Sequence, residues 1–145
     1  SFPTTTLFRS VAHVDFTPDG RRLVAANQEG KIQVWDMARL DSPVKFRAHL
    51  RSIQGFGFSP DQRRMATAGD GDEAVKIWDL TTWKELIVLK RPGETLRQVA
   101  FSREGHALMA VTTGGVILVW RVPTWEAIAV EEQGVAGFPE RSRSE

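Results

Sequence analysis

Few residues of this chain have a claim to chemistry, and none is arranged to perform it. The histidines His13, His49 and His106 share no metal-type spacing. Asp70, Asp72 and Glu73 crowd the stretch GDGDEA at 69–74. They lack the remaining ligand positions of a calcium loop, so the stretch reads as a solvated acidic turn. Ser59 and Ser102 precede turn residues, with no Gly-x-Ser-x-Gly elbow around either. The glycines of TTGGV at 112–116 lack the lysine and the helix of a phosphate loop. The chain has no cysteine, which removes disulfides and thiolate metal sites. No catalytic residue, metal or cofactor is expected.

The elements that carry these residues repeat. Trp35, Trp78 and Trp120 stand 43 and 42 residues apart, and Phe16, Phe58 and Phe101 stand 42 and 43 apart. Two independent markers on one period define an internal repeat, and a period in the low forties suits a propeller blade or a helix pair. Short β-branched and aromatic runs punctuated by Pro, Asp and Gly favour strands. Each unit begins with an alternating strand (Val14 and Phe16, Phe56 and Phe58, Val99 and Phe101). In the first two units TPDG or SPDQ follows, with Pro second and Asp third as in a type I turn. A second strand runs at 23–26, 65–68 and 108–111, then a polar turn, then the strand that ends in Trp. A fourth segment, 44–47 or 85–90, completes an antiparallel meander. Side chains alternate along a strand, so Val75 and Ile77 lie opposite Trp78. Apolar groups on both faces require a sheet stacked between two others.

These motifs resemble the WD-repeat β-propellers over roughly residues 7–122. The resemblance implies an all-β fold of three four-stranded antiparallel blades in an incomplete ring. Blade boundaries are expected at 7–47, 48–90 and 91–131. Residues 1–6 read as the end of a preceding blade or a linker, and 132–145 as a disordered tail. Residues 123–131 fit either a strand or a helix. The family also implies a buried tetrad, which only the middle repeat matches in full, with His49, Thr67, Asp72 and Trp78. The first repeat offers Leu7, Ala25, Glu29 and Trp35, and the third Pro92, Ala110, Gly114 and Trp120. Closed propellers have about 4–8 blades, so three leave open edges through which copies could associate. A start at Ser1 without methionine and a Gly/Ser-rich ending suggest the last part of a longer chain. Such endings resemble those of large bacterial WD-repeat proteins.

Length fits one domain. A net charge of +1 gives no field for nucleic acid or an acidic membrane, and no apolar run approaches the ~20 residues of a membrane span. The absence of cysteine fits a reducing, cytoplasmic setting. The expected function is a non-catalytic scaffold that presents loops to a protein or peptide partner. Two alternatives stay open: the propeller portion of a larger bacterial signalling enzyme such as a protein kinase, and a self-assembling repeat that builds a larger ring. The expected binding face lies on the loop leading into each first strand. Its equivalent positions differ from blade to blade: Arg9, Arg51 and Glu94, then Ala12, Gln54 and Arg97. Arg51 and Arg97 are the best anchors for an acidic partner, because a guanidinium grips a carboxylate with two hydrogen bonds. The paired arginines at 21–22 and 63–64 read as a structural or solubility feature of the repeat.

Overall fold

The computed structural model describes residues 8–90, 93 and 95–123. They form eleven strands in three antiparallel sheets, and none is helical. The first sheet runs in chain order through β1 (Val11–Phe16), β2 (Arg22–Asn27), β3 (Lys31–Asp36) and β4 (Arg39–Arg47). The second holds β5 (Ile53–Phe58), β6 (Arg64–Gly69), β7 (Val75–Asp79) and β8 (Glu85–Leu89). The third holds β9 (Leu96–Phe101), β10 (Ala107–Thr112) and β11 (Ile117–Arg121). Each sheet is one blade, and the three do not close a ring. The choice between strand and helix at 123–131 and the tail at 132–145 fall almost wholly outside the described residues, as does 1–6.

The period of two explains the stacking. In the first sheet Val24 and Val34 pair across β2 and β3, as do Ala26 and Ile32, and all four point at the second blade. Phe56, Met65 and Trp78 of the second blade meet them in one buried cluster. The opposite face of the second blade carries Ala66, Ala68, Val75 and Ile77, which pack on Val99, Leu108 and Ala110 of the third. Small residues on that face set the spacing: a Cβ on Gly57 would lie 3.0 Å from the Val99 carbonyl oxygen. Full burial of a residue such as Ile77 or Leu108 contributes about 1.5–3 kcal/mol, so these two seams hold the fold together. The first strands β1, β5 and β9 lie side by side along the inner edge.

Each first turn is built the same way. The amides of Gly20, Gln62 and Gly105 donate to the carbonyls of Thr17, Ser59 and Ser102 at 2.8, 3.0 and 3.0 Å. The donor residues all take positive φ (73°, 63° and 83°), which is natural for glycine and costly for Gln62. Hydroxyls at the turn start, Thr17 and Ser59, donate to Asp19 and Asp61 at 2.7 and 2.5 Å.

The seams leave two unlike faces uncovered at the ends. The first blade shows Val14 and Phe16, the latter half exposed at 50%. The third shows Met109, Ile117 and Val119, the last two 61% and 66% exposed. Among the described residues no helix is long and apolar enough to cross a membrane.

Candidate functional site

Three of the four tetrad residues meet in the second blade. Thr67 on β6 accepts a hydrogen bond from the Trp78 indole Nε1 at 3.0 Å, and its hydroxyl lies 2.7 Å from His49 Nε2. All three are buried. His49 sits in the loop after β4, where its own amide and that of Ala48 donate to the Gly30 carbonyl at 3.1 and 2.8 Å. That turn needs glycine: Gly30 has φ +85°, and a Cβ there would lie 2.0 Å from the His49 carbonyl oxygen. Among the described residues His49 Nδ1 makes no hydrogen bond of normal geometry, though the Glu73 backbone lies close enough to favour the protonated ring slightly. Burial, then the nearby Lys76 charge, lowers the imidazole pKa to about 4, so the ring is neutral at physiological pH.

Asp72 does not join them. It is exposed and makes no hydrogen bond or ion pair among the described residues. The physical reason lies in the turn. Gly71, at φ +95°, carries Asp72 outward, and the next acid, Glu73, turns back instead. Glu73 pairs with Lys76 at 3.0 Å, and Glu85 pairs with the same lysine at 2.9 Å. The hydrogen bond from Lys76 holds the Glu73 carboxyl below its usual range. Burial opposes the charge on Lys76, but the two glutamates outweigh it and raise that pKa.

The seat of His49 is made by an absence. A Cβ on Gly69 would lie 2.4 Å from His49 Nδ1. The repeat register places Asn27 and Thr112 at the same point of the other blades. There the side chain closes the turn itself: Asn27 Oδ1 accepts from the amides of Glu29 and Lys31 at 3.0 and 2.9 Å, and Thr112 Oγ1 accepts from Val116 at 3.0 Å. A side chain at this position and a histidine in the loop exclude one another. The column Asn27, Gly69, Thr112 was the sequence signal for this exchange. Trp35 is buried with its edge toward Phe8 at 6.2 Å, and Trp120 is half-buried against the second seam. Neither indole makes a hydrogen bond among the described residues.

The second arginine of each recurring pair is a latch between blades. The Arg22 guanidinium donates to the Leu80 carbonyl of the second blade and lies 5.1 Å from the centre of the Trp83 ring. Arg64, only 1% exposed, donates to the carbonyls of Pro123 at 2.5 Å and Gly105 at 2.8 Å in the third blade, with its charge 5.3 Å from the Phe101 ring. The third blade has Ala107 in this place. Sequence periodicity detects the pair but not its split into an outward residue (Arg21, Arg63) and an inward one.

The lead-in loops gather on one end of the blades, beside the turns between second and third strands. Gln28 donates to the Ser10 carbonyl and Thr113 to the Thr95 carbonyl, both at 2.9 Å. Arg9 and Arg51 are exposed on these loops. Ala12, Gln54 and Arg97, expected in the loops, are instead the second residues of β1, β5 and β9, where Ala12 and Arg97 are exposed. Gln54 is half-buried, with its amide nitrogen 3.4 Å from both Asp70 oxygens. Glu94 lies outside the described residues. His13 meets Phe56 edge-on at 4.5 Å, and His106 lies 3.3 Å from Glu104 at the surface. Among the described residues no group of three or more His, Asp or Glu could hold a metal ion.

A stack of antiparallel sheets with a Trp–Thr–His network in one seam and a forward arginine latch defines a run of propeller blades. The family model for the WD domain, G-beta repeat matches residues 3–36 and 41–79, half of the sequence, and the chain belongs to that family. It is 27% identical over 129 residues to a coronin-like protein of Saccharomyces cerevisiae, covering 77% of this chain and 20% of that one. It is 37% identical over 89 residues to the protein LST8 homolog of Drosophila melanogaster, covering 54% of this chain and 28% of the relative. Transducin beta-like protein 3 of Bos taurus is 24% identical over 118 residues, covering 81% of this chain and 15% of its own. The chain thus spans 15–28% of the length of these relatives.

Proposed function

We propose that this chain is a non-catalytic part of a WD-repeat interaction scaffold, and that the lead-in loops take an acidic protein or peptide partner. WD repeats generally serve as such platforms. The observation that supports the acidic partner is the exposure of Arg9, Arg51 and Arg97 on one end, none of them in an ion pair or side-chain hydrogen bond among the described residues. Titration of the full chain with fluorescent poly-glutamate tests it. Replacing both Arg51 and Arg97 with alanine weakens binding roughly tenfold, about 1.4 kcal/mol, while the melting temperature hardly moves. Early unfolding of the double variant, or unchanged affinity, refutes the assignment.

A second reading, self-association, draws support from the two uncovered faces. Val14 and Phe16 lie on the tryptophan side of the first blade, and Ile117 and Val119 on the aliphatic side of the third. They are the two halves of the seam that the chain builds twice internally. Light scattering that finds a monomer at high concentration removes this reading.

A further inference from the structure

At the rim of the first blade, beside the lead-in loop, a cleft of about 500 Å³ opens between the turn joining β2 to β3 and the strand β4. Its charges are lopsided. Among the described residues, Arg9, Lys31, Lys45 and Arg47 line it against a single carboxylate, Glu29. The whole chain carries only +1, so a local excess of three positive charges concentrates the field here. Two of the four are already engaged. Lys31 lies 3.6 Å from Glu29, and Arg47 donates to the carbonyl of Glu29 at 2.7 Å. Arg9 and Lys45 have no ion pair or side-chain hydrogen bond among the described residues.

The apolar side chain on this face of the cleft is Phe8; Ile32 and Phe46 border it along their strands, but their side chains pack against the second blade. Gln33 lines it as well, 1% exposed, and its Nε2 has no hydrogen-bond partner among the described residues. A buried amide N–H without an acceptor carries its full desolvation penalty. The last torsion of a glutamine is broad, so the amide can turn toward a ligand oxygen at little cost. Solvated surface charge alone would require neither a walled cavity nor an orphaned donor on its lining.

We propose that this cleft seats one anionic side chain of a peptide partner, a carboxylate or a phosphate, with an apolar neighbour of that side chain against Phe8. Arg9 and Lys45 supply the charge, and the Gln33 amide donates to the oxyanion. The inference rests on the reading that this end of the blades takes an acidic partner, and it narrows the contact from a face to one pocket.

The test uses the full chain and fluorescein-labelled pentapeptides Gly-Leu-X-Leu-Gly, with X glutamate, phosphoserine or glutamine, read by anisotropy at low and physiological salt. The glutamate or the phosphoserine peptide binds at least tenfold more tightly than the glutamine peptide. The tighter of the two names the oxyanion. Lys45→Glu, at an exposed strand position, abolishes the preference, and Gln33→Leu reduces it severalfold. Lys45→Gln replaces the charge reversal should that variant not fold. The Arg51→Ala and Arg97→Ala double variant keeps the pentapeptide preference. Equal binding of all three pentapeptides, or a preference that survives Lys45→Glu, overturns the cleft. If poly-glutamate binding still depends on Arg51 and Arg97 in that event, the broader reading stands; if poly-glutamate also fails to bind, both fall.

Discussion

Removal of the buried latch Arg64 should separate the third blade from the second. The guanidinium makes two charge-assisted hydrogen bonds to backbone carbonyls, at 2.5 and 2.8 Å. Such bonds contribute about 1.5–3 kcal/mol each. The desolvation of a charge that is 1% exposed offsets part of that gain. Arg64→Ala then leaves the carbonyls of Pro123 and Gly105 unpaired beside a cavity, and the expected net loss is about 2–4 kcal/mol. Arg64→Lys recovers less than half, because a point charge cannot serve both acceptors as a fork does. Arg22→Ala should cost less, about 1–2 kcal/mol, since Arg22 is only half-buried and its latch has one backbone acceptor. Urea denaturation followed by tryptophan fluorescence measures these values, with exposed Arg21→Ala as the control within about 0.5 kcal/mol of wild type. Hydrogen exchange adds the location: amides of β9 to β11 should lose protection before those of the first blade. An Arg64→Ala chain as stable as Arg21→Ala, or one that loses protection uniformly, would refute the latch.

Three further outcomes follow from the second blade. His49 titrates near 4 when folded against about 6.5 unfolded, so its stabilisation is complete above pH 6.5 and is lost as pH falls toward 4, at most about 3 kcal/mol. His49→Gln should flatten the stability profile in that window, and an unchanged slope sinks the assignment. Gly69→Ala drives a methyl into the imidazole and should cost about 1–3 kcal/mol, yet be nearly silent in a His49→Ala background; thermal melts of the four chains decide it. Gln62→Gly relieves a left-handed backbone and should stabilise by about 0.5–1 kcal/mol, whereas a loss would show that the Gln62 side chain matters more than its φ of 63°.

The strand order and both seams were legible because the signals come in threes. One Trp or one Phe-Ser-Pro would have meant little, but columns with a common period fix the register of every blade. What escaped depended on turn length and on partners that are backbone. The turn between β6 and β7 spans 70–74, longer than 28–30 between β2 and β3. Counting along an unbroken alignment therefore names Asp72, whereas the acid that turns back toward the sheet, to pair with Lys76, is Glu73. The fourth strand of the first blade begins at Arg39 rather than 44 because β4 is an edge, where Pro43 removes no needed donor. The latches were visible only as paired arginines, since a carbonyl acceptor leaves no trace in residue type. The cleft at the rim was invisible for another reason. Arg9 comes from the lead-in loop, Lys31 and Gln33 from β3 and Lys45 from β4, and only the folded sheet brings them to one cavity.

The one-sided character of the latch bears on how such a chain can be copied and rearranged. The donor is a side chain and the acceptor is main chain, so inheritance of the joint is carried by one blade alone. A duplicated blade bearing the arginine brings its joint with it and accepts any successor whose turn has the same path, whatever that successor's residues. Substitutions at Leu80 or Pro123 leave the carbonyls in place, and the two blades can diverge without compensating one another. Ala107 ends that freedom. A blade placed after the third must be held by packing on Met109, Ile117 and Val119, and its fit then depends on matching shapes on both sides.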